Sequence, residues 1–378
     1  MKRLKIGVIC YPSLGGSGVV ATELAIKMAA KGHQIHFITS SLPFRYIEPH
    51  ENIFFHEVRI DGYAVFKYPP YDIALANRIG QVVDEEQLDL LHVHYAVPHA
   101  VSAVLAKDMI QSDIGIITTL HGTDVTILGH DPALRNTVKY GIDKSTITTA
   151  VSDSLRKETM ELIEPSKDIK TIYNFIDEEK YHPVDSSVLR DHLGIEKKEK
   201  VIIHISNFRS VKRIPDLIRA FAKIVSEVPS KLLLVGEGPE MPRIRRLVDN
   251  LGVTNHVLFT GKRDDLPELL SLSDVMVLPS EKEAFGLVLL EGFACGVPAV
   301  GTLAGGIPEV IEDGVNGYLI PVGDPDAIAH KTLRILMDRD VHEKMKANAL
   351  NVVKGKFASD TIVAQYEELY YTLQNKGC

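Results

Sequence analysis

Residues 5–31 read KIGVIC, then YPSLGGSG, then VVATELAIKMAAK. The first block is a short apolar, partly β-branched run, which predicts a buried strand over Lys5–Cys10. Three glycines within residues 15–18 interrupt the pattern, and the last block carries apolar side chains at helical spacing, which predicts a helix over Val19–Lys31. A strand, a glycine-rich loop and a helix in this order indicate an α/β domain built on a parallel sheet.

The same alternation continues along the chain and restarts at Val201. It predicts an α/β protein of two Rossmann-like domains, whose parallel sheets face a central cleft that holds the ligands. The charged stretch 177–200 separates the two series, so we expect a domain over 1–178 and another over 179–357, with the terminal helix, within 358–378, crossing back to the first. The later predicted strands are Gln34–Thr39, Phe54–Val58, Leu88–His94, Ile114–Leu120, Ile147–Val151, Val201–Ser206, Lys231–Gly236, Val257–Thr260, Val275–Leu278, Ala299–Thr302 and Tyr318–Ile320.

Composition narrows the class of protein. The 378 residues contain 42 basic and 50 acidic side chains, a net charge of −8, which argues against a nucleic-acid-binding protein. The three cysteines form no CxxC pair, so we expect a reducing, cytoplasmic location. No apolar stretch approaches the ~18–20 residues of a membrane span, and Pro12 ends the short amino-terminal apolar run before it could form a signal peptide.

Two glycine-rich loops are candidates for binding an anion. Gly15–Gly18 follows the first strand, and Ala304-Gly305-Gly306-Ile307-Pro308-Glu309 follows a strand of the second half. Glycines allow close approach of the backbone, and a helix that starts after them offers free N–H groups. Neither loop is a GxGxxG or P-loop motif, and a plain tight turn is the alternative interpretation.

The segment Asn207–Arg213 is the local positive cluster that an anionic ligand requires in an acidic protein. Arg209, Lys212 and Arg213 follow the first strand of the second half, with no acidic residue before Asp216. Cations near a helix start oppose the helix dipole, so this placement favours a phosphate-binding role over a solvated surface.

Glu283 and Glu291 are eight residues apart, separated mainly by apolar residues. We expect the helix that carries Glu291 to be buried, so its carboxylate needs a partner such as a ligand hydroxyl or an internal cation. Two carboxylates also raise glycoside hydrolysis as an alternative, because sequence spacing does not give their separation in space.

The motif His121-Gly122-Thr123-Asp124 follows a predicted strand, so His121 is placed to reach the cleft. His92, His94 and His99 raise the alternative of a metal site, but no carboxylate or cysteine at ligand spacing completes it. We therefore predict no metal and no cofactor.

In chain order, these features resemble the retaining glycosyltransferases of family 4, which have the GT-B fold. The resemblance rests on the GGSG loop, His121–Asp124, Asn174 in YNFID, the basic segment, the Gly236–Pro239 turn, and Glu-x7-Glu followed by AGGIPE. One departure is that Asn207 stands where many members have a Gly-Arg pair, and the arginine is displaced to Arg209. Two interpretations follow: Arg209 reaches the same phosphate by a different path, or Arg213 helps. The resemblance implies a metal-independent hexosyltransferase that uses a UDP-sugar.

The resemblance also implies roles for individual residues. His121, Arg209 and Lys212 are implied to be catalytic, with the two cations stabilising the leaving diphosphate. Glu291 is implied to bind the ribose, Glu283 the sugar, and the backbone at 261–263 the uracil. The full implied donor site is Gly16, Ser17, Arg209, Lys212, Gly261, Arg263, Glu283, Phe285, Gly286, Leu287, Glu291, Gly305 and Gly306.

Segments 10–13, 35–41, 64–72 and 94–100 resemble a subgroup that transfers N-acetylglucosamine from UDP-N-acetylglucosamine to the hydroxyl of L-malate, the first step of bacillithiol biosynthesis. We expect no nucleic-acid or membrane partner, and a homodimer remains open. Another acceptor, a UDP-sugar epimerase and a nucleotide-sugar-binding regulator are the alternatives. The acceptor residues expected from this resemblance are Ser17, Lys67, Tyr95, Thr119, Arg135 and Asn174.

Overall fold

The computed structural model describes residues 2–12, 15–43, 50–60 and 70–375. The chain separates into two compact units. Unit 1 consists of Met1–Asn174 and Asp360–Cys378, and unit 2 of Phe175–Ser359.

Unit 1 is built on a seven-stranded sheet in the order β3-β2-β1-β4-β5-β6-β7, in which every neighbouring pair is parallel. Its strands are β1 (Lys5–Ile9), β2 (Gln34–Thr39), β3 (Ile53–Glu57), β4 (Leu90–His94), β5 (Gly115–Leu120), β6 (Ile147–Ala150) and β7 (Lys170–Thr171). Its helices are α1 (Gly16–Ala30), α2 (Tyr71–Glu86), α3 (Val101–Met109), α4 (Thr123–Thr126), α5 (Arg135–Lys144) and α6 (Asp153–Ile163).

Unit 2 repeats the arrangement with a six-stranded parallel sheet in the order β10-β9-β8-β11-β12-β13. Its strands are β8 (Lys200–Ile205), β9 (Ser230–Val235), β10 (Val257–Gly261), β11 (Val275–Leu278), β12 (Ala299–Thr302) and β13 (Gly317–Ile320). Its helices are α7 (Ser187–His192), α8 (Ile214–Glu227), α9 (Met241–Asn250), α10 (Leu266–Ser271), α11 (Leu287–Ala294), α12 (Ile307–Val310), α13 (Pro325–Met337) and α14 (Arg339–Lys354).

Helix α8 illustrates how the sequence produces these layers. Ile214, Leu217, Ile218, Phe221 and Ile224 recur at helical spacing and are all buried in the core of unit 2. Burying a large apolar side chain stabilises a fold by about 1.5–3 kcal/mol, so this apolar stripe fixes the helix against the sheet.

The last helix, α15 (Ser359–Asn375), packs on unit 1. Its buried Tyr370 hydroxyl lies 2.7 Å from Nδ1 of His92 on β4, and Glu367 accepts a hydrogen bond of 2.7 Å from Lys31. A side chain at Gly115 would overlap Leu373, so the glycine in β5 makes room for this helix.

The α/β class and the two parallel sheets predicted from the sequence are confirmed. The first helix begins at Gly16 rather than Val19, so the predicted loop glycines Gly16 and Gly18 belong to its first turn. First-turn N–H groups have no intrahelical acceptor in any case, so glycine is tolerated there. Within the described ranges, no helix is both long and apolar enough to span a bilayer.

Candidate active site

The strand order of each sheet reverses at one point, between β1 and β4 in unit 1 and between β8 and β11 in unit 2. In open parallel sheets, ligands bind beside the carboxyl ends of the strands at such a point. The loops that follow these four strands, with the first turns of the helices after them, carry the expected residues Gly16, Ser17, Tyr95, Arg209, Lys212, Glu283, Phe285, Gly286 and Leu287.

In unit 1, the amino-terminal end of α1 lies beside the residue that follows β4. Gly15 occupies the capping position without a side-chain cap, so the N–H groups of Gly16 and Ser17 are the first of the helix. The hydroxyl of Tyr95 donates a 2.8 Å hydrogen bond to Oγ of Ser17. These amides and hydroxyls form a polar group suited to an anion.

Tyr95 holds an unusual backbone conformation. Its φ is +84°, in a region that residues other than glycine avoid. Such strain costs of order 1–3 kcal/mol and is found most often at functional sites. Here it accompanies the turn by which the chain leaves β4 and directs the phenol toward Ser17.

The ring of His121 meets a second histidine at the end of the neighbouring strand. Nε2 of His121 lies 2.8 Å from Nδ1 of His94, the last residue of β4. Desolvation and the neighbouring His99 lower the pKa of His121 to about 3, and burial lowers the pKa of His94 well below its usual range. Both imidazoles are therefore neutral at pH 7.

The hydrogen bonds of His94 favour one tautomer of His121. Nε2 of His94 is buried and has no hydrogen-bond partner among the residues that the structure describes. If His94 donates from Nδ1, its unpaired Nε2 carries no proton and is an acceptor. If His121 donates instead, Nε2 of His94 is a buried N–H without an acceptor, which proteins tolerate less. His94 donating to Nε2 of His121 is thus the better arrangement, and it leaves the proton of His121 on Nδ1.

Asp124 organises the turn between His121 and α4. Its side chain is fully buried and accepts hydrogen bonds from the backbone N–H of Gly122 at 2.9 Å and of Ala96 at 3.3 Å. Burial raises its carboxyl pKa to about 6. Asp124 therefore joins the loops that follow β4 and β5, rather than facing a ligand.

Four further acceptor residues were expected in unit 1. Thr119 is fully buried, and its hydroxyl lies 2.8 Å from both His92 Nε2 and Thr149 Oγ1. Asn174 is buried at the end of the unit, and Arg135 begins α5 and donates to the carbonyl of Gly129. The expectation for Lys67 lies outside the described residues.

In unit 2, buried hydrogen bonds fix the loop after β8. His204 lies with Nδ1 2.8 Å from the carbonyl of Val277 and Nε2 2.8 Å from Oγ of Ser206. A side chain at Gly236, whose φ is +117°, would overlap the carbonyl oxygen of Ser206. The Gly236–Pro239 turn therefore packs directly against the backbone of the loop that carries the basic residues.

Lys212 and Glu283 form an ion pair, with Nζ donating to Oε2 over 2.6 Å. Their side chains are only 15% and 17% exposed, so the pair is largely shielded from solvent. They are 71 positions apart in the sequence, with three strands between them, and the sequence alone did not indicate the pairing. The structure thus joins the residue expected at the phosphates to the residue expected at the sugar.

The two arginines of the basic segment differ in their surroundings. Arg213 donates to Asp216 over 2.6 Å and approaches Glu281 at 3.5 Å, so its charge is already balanced. Arg209 is exposed, and its guanidinium has no ion-pair partner within the described part of the chain. Arg209 is therefore the arginine available to an anionic ligand, and the suggested help from Arg213 is not supported.

The Gly305–Gly306 turn shapes the loop of Glu283. Gly306 donates its N–H to the carbonyl of Glu283 over 2.9 Å, so this amide already has an acceptor within the protein. Gly305 has a φ of +53°, and a Cβ at this position would overlap the same carbonyl oxygen. The glycines allow the two loops to touch and so hold Glu283 in place.

The expected burial of the helix that carries Glu291 is confirmed, since Glu291 itself is 6% exposed on α11. Gly286 caps this helix with a φ of +88°, Leu287 begins it, and Phe285 is buried against Phe357. At the end of β10, the guanidinium of Arg263 is held by both carboxylate oxygens of Asp265. The charge of Arg263 is therefore balanced within its own loop.

Two family models match the chain. One, described as Glycosyltransferase Family 4, covers residues 14–180, and the other, described as Glycosyl transferases group 1, covers residues 185–352. A relative from Bacillus anthracis, N-acetyl-alpha-D-glucosaminyl L-malate synthase, is 56% identical over 98% of this chain and 97% of its own. The chain belongs to glycosyltransferase family 4.

Solved structures support the GT-B architecture of this family 4 glycosyltransferase. A glycosyltransferase from Rickettsia africae superimposes with a TM-score of 0.85 at 20% identity, covering 99% of both chains. The Anabaena protein HepE, solved with UDP and glucose, gives a TM-score of 0.83 at 23% identity, over 97% of this chain and 99% of its own.

Proposed function

We propose that this glycosyltransferase moves N-acetylglucosamine from UDP-N-acetylglucosamine to the hydroxyl of L-malate, as the first step of bacillithiol biosynthesis. The observation that carries the proposal is the 56% identity to the L-malate synthase, which extends over nearly the full length of both chains. A match of this extent covers the donor residues of unit 2 and the acceptor residues of unit 1 together.

Unit 2 binds the donor in this proposal. Arg209 and Lys212 hold the diphosphate, Glu291 accepts hydrogen bonds from the ribose hydroxyls, and the backbone of 261–263 meets the uracil. The sugar lies against Glu283 and the chain at Phe285–Leu287. The exposed guanidinium of Arg209 and the buried carboxylate of Glu291 are the features that support these assignments.

Donor binding changes the hydrogen-bond partners of both Lys212 and Glu283. Lys212 is neutralised by Glu283 at 2.6 Å. When a diphosphate arrives, Lys212 gains a second anionic partner, and Glu283 can turn one oxygen to a sugar hydroxyl. Charge-assisted hydrogen bonds contribute about 1.5–3 kcal/mol each, enough to favour this exchange.

Unit 1 binds the acceptor. Ser17 and Tyr95, with the first-turn amides of α1, offer hydrogen bonds to a malate carboxylate. Arg135 and Lys67 are the proposed counter-charges, and Asn174 a further donor. Thr119 has no part in this set, because its hydroxyl is enclosed within the unit.

The transfer itself needs no nucleophile from the protein. The bond between the anomeric carbon and the phosphate oxygen breaks, and the malate hydroxyl oxygen bonds to the same face of that carbon. The hydroxyl proton goes to the departing phosphate, so the anomeric configuration is retained. Arg209 and Lys212 stabilise the negative charge that develops on UDP, an effect worth about 2.7–4 kcal/mol per well-placed donor.

His121 contributes as a neutral donor. With its proton on Nδ1, it can hydrogen-bond the sugar or the phosphate oxygen near the reacting carbon without adding a charge. The two cations of unit 2 take the place of a divalent ion, so transfer should continue in EDTA. Complete loss of activity in EDTA, restored by Mg²⁺, would contradict this mechanism.

The experiment that tests the proposed function measures UDP release with and without L-malate, together with the mass of the product. Malate-dependent release and a product of one N-acetylglucosamine plus malate are expected. Consumption of the donor without an acceptor would indicate an epimerase, binding without turnover a regulator, and transfer only to another compound a different acceptor. A cytoplasmic location and a homodimer remain part of the proposal.

A further inference from the structure

Two buried histidines and a glutamate converge in unit 1, outside the candidate active site. His36 lies on β2, His56 on the edge strand β3, and Glu86 is the last residue of α2. One potential ligand atom from each side chain lies within 4.8 Å of the other two. Nδ1 of His36 is 3.0 Å from Nε2 of His56.

The strand register explains why the histidines meet. His36 pairs with Phe54, and Ile38 pairs with His56, so the two histidines lie on one face of the sheet in adjacent rows. Ile38 belongs to the core beneath α2, which places the same face under that helix. His36 is 1% exposed, so the nitrogen atom that it turns toward His56 is shielded from solvent.

We propose that His36, His56 and Glu86 bind one divalent transition-metal ion of the zinc class. Two imidazole nitrogens and one carboxylate form a common zinc ligand set, and a fourth position is left for water. With zinc–nitrogen bonds of about 2.0–2.1 Å, two nitrogens of a tetrahedral site lie roughly 3.3 Å apart. The observed 3.0 Å separation is close to this value, so only a small movement is required.

The charged groups around the three ligands set the affinity. Arg78 approaches Nδ1 of His56 with Nη2 at 3.5 Å, and its Nη1 lies 3.7 Å from Glu85. Lys5 donates to the backbone carbonyl of Glu86 over 2.8 Å, which leaves the Glu86 carboxylate available. Metal binding at Nε2 of His56 moves the proton of that ring to Nδ1.

Because Nδ1 of His56 then becomes a donor, Arg78 must turn away from it toward Glu85. Arg78 therefore competes with the metal, and its removal should tighten binding. The bound ion would join the edge strand β3 to β2 and to the end of α2, and so stabilise that edge of the sheet. It would take no part in sugar transfer.

The test uses the full chain after removal of metal, titrated with Zn²⁺ by calorimetry and followed by thermal unfolding. One equivalent of zinc should bind and raise the melting temperature, whereas Mg²⁺ should do neither. His56→Ala should abolish this binding. Glu86 is a direct ligand, and the loss of even an outer-shell partner costs about 10–100-fold in affinity, so Glu86→Gln should weaken binding by at least about 10-fold.

A matched control is the exposed pair of His130 and Glu158, 3.6 Å apart in the same unit. His130→Ala should leave zinc binding unchanged, and Arg78→Gln should strengthen it. Glu86→Gln and Arg78→Gln alter partly exposed side chains, so they give an answer even if His56→Ala does not fold. The proposal is wrong if the wild-type chain takes up no zinc, or if Glu86→Gln and Arg78→Gln bind zinc as the wild type does.

Discussion

Replacing His94 by leucine tests whether this residue positions His121. The change removes the 2.8 Å hydrogen bond to His121, worth about 0.5–1.5 kcal/mol. It also removes the buried Nε2 atom of His94, which has no partner in the described structure and costs about 1–3 kcal/mol. These two effects oppose each other, so the free energy of unfolding should lie between about 0.5 kcal/mol below and about 2.5 kcal/mol above that of the wild type.

The rate should nevertheless fall, because His121 loses the bond that fixes its tautomer and its orientation. A factor of 10 corresponds to about 1.4 kcal/mol, so the lost hydrogen bond predicts a kcat lower by roughly 3–10-fold. His94→Asn places an amide N–H close to the position of Nδ1 and should recover most of this loss. Steady-state UDP release and urea unfolding measure the two quantities on the same samples.

His92 provides the matched control on the same strand. Its ring nitrogens lie 2.7 Å from the Tyr370 hydroxyl and 2.8 Å from that of Thr119, so His92→Leu leaves two buried hydroxyls without this partner. The expected cost is about 2–6 kcal/mol in unfolding free energy, with little change in kcat of the folded enzyme. If His94→Leu destabilises the fold as much as His92→Leu and leaves kcat unchanged, the positioning role is refuted.

Three further predictions follow from the site geometry. Gly305→Ala should destabilise the enzyme by about 1–3 kcal/mol more than Gly314→Ala in urea unfolding, because both glycines have positive φ but only a Cβ at Gly305 would overlap a backbone carbonyl; equal costs would contradict this packing. Arg209→Ala should lower kcat about 10²–10³-fold in a UDP-release assay. Arg213→Ala should change mainly stability, because acidic neighbours hold the guanidinium of Arg213. A larger loss of kcat in Arg213→Ala than in Arg209→Ala would assign the phosphate to Arg213. Burial lowers the pKa of His204 to about 4. Its contribution to the free energy of unfolding is therefore full above pH 6.5 and decreases by about 2 kcal/mol at pH 5, because the unfolded ring takes up a proton first. Between these pH values, the free energy of unfolding of a His204→Gln variant should fall by about 2 kcal/mol less than that of the wild type, and an unchanged pH profile would be evidence against a neutral buried ring.

Most strands of both sheets could be predicted, because they are short apolar runs between turn residues. The strands at Gln34–Thr39, Val275–Leu278 and Ala299–Thr302 have the predicted limits. Helix α5 was not predicted, because only Val138, Gly141 and Ile142 of its residues are buried, too few for a clear apolar stripe. The two-residue strand β7 is too short to give any periodicity.

The sequence identified the loops of the site but not the contacts within them. Lys212 and Glu283 were each expected at the donor, yet their pairing depends on how two loops lie against each other. His94 was considered only as a metal ligand, although its position at the end of β4, beside β5, places it next to His121. In the same way, Gly306 was expected to bind an anion, but the carbonyl of Glu283 already occupies its amide.

Product analysis of the reaction with UDP-N-acetylglucosamine and L-malate tests the central claim most directly. The account predicts UDP release that requires malate, a product with the combined mass of the sugar and malate, and the α-configuration of the donor retained at the anomeric carbon by NMR. UDP release at the same rate without malate, or a product of inverted configuration, would contradict it.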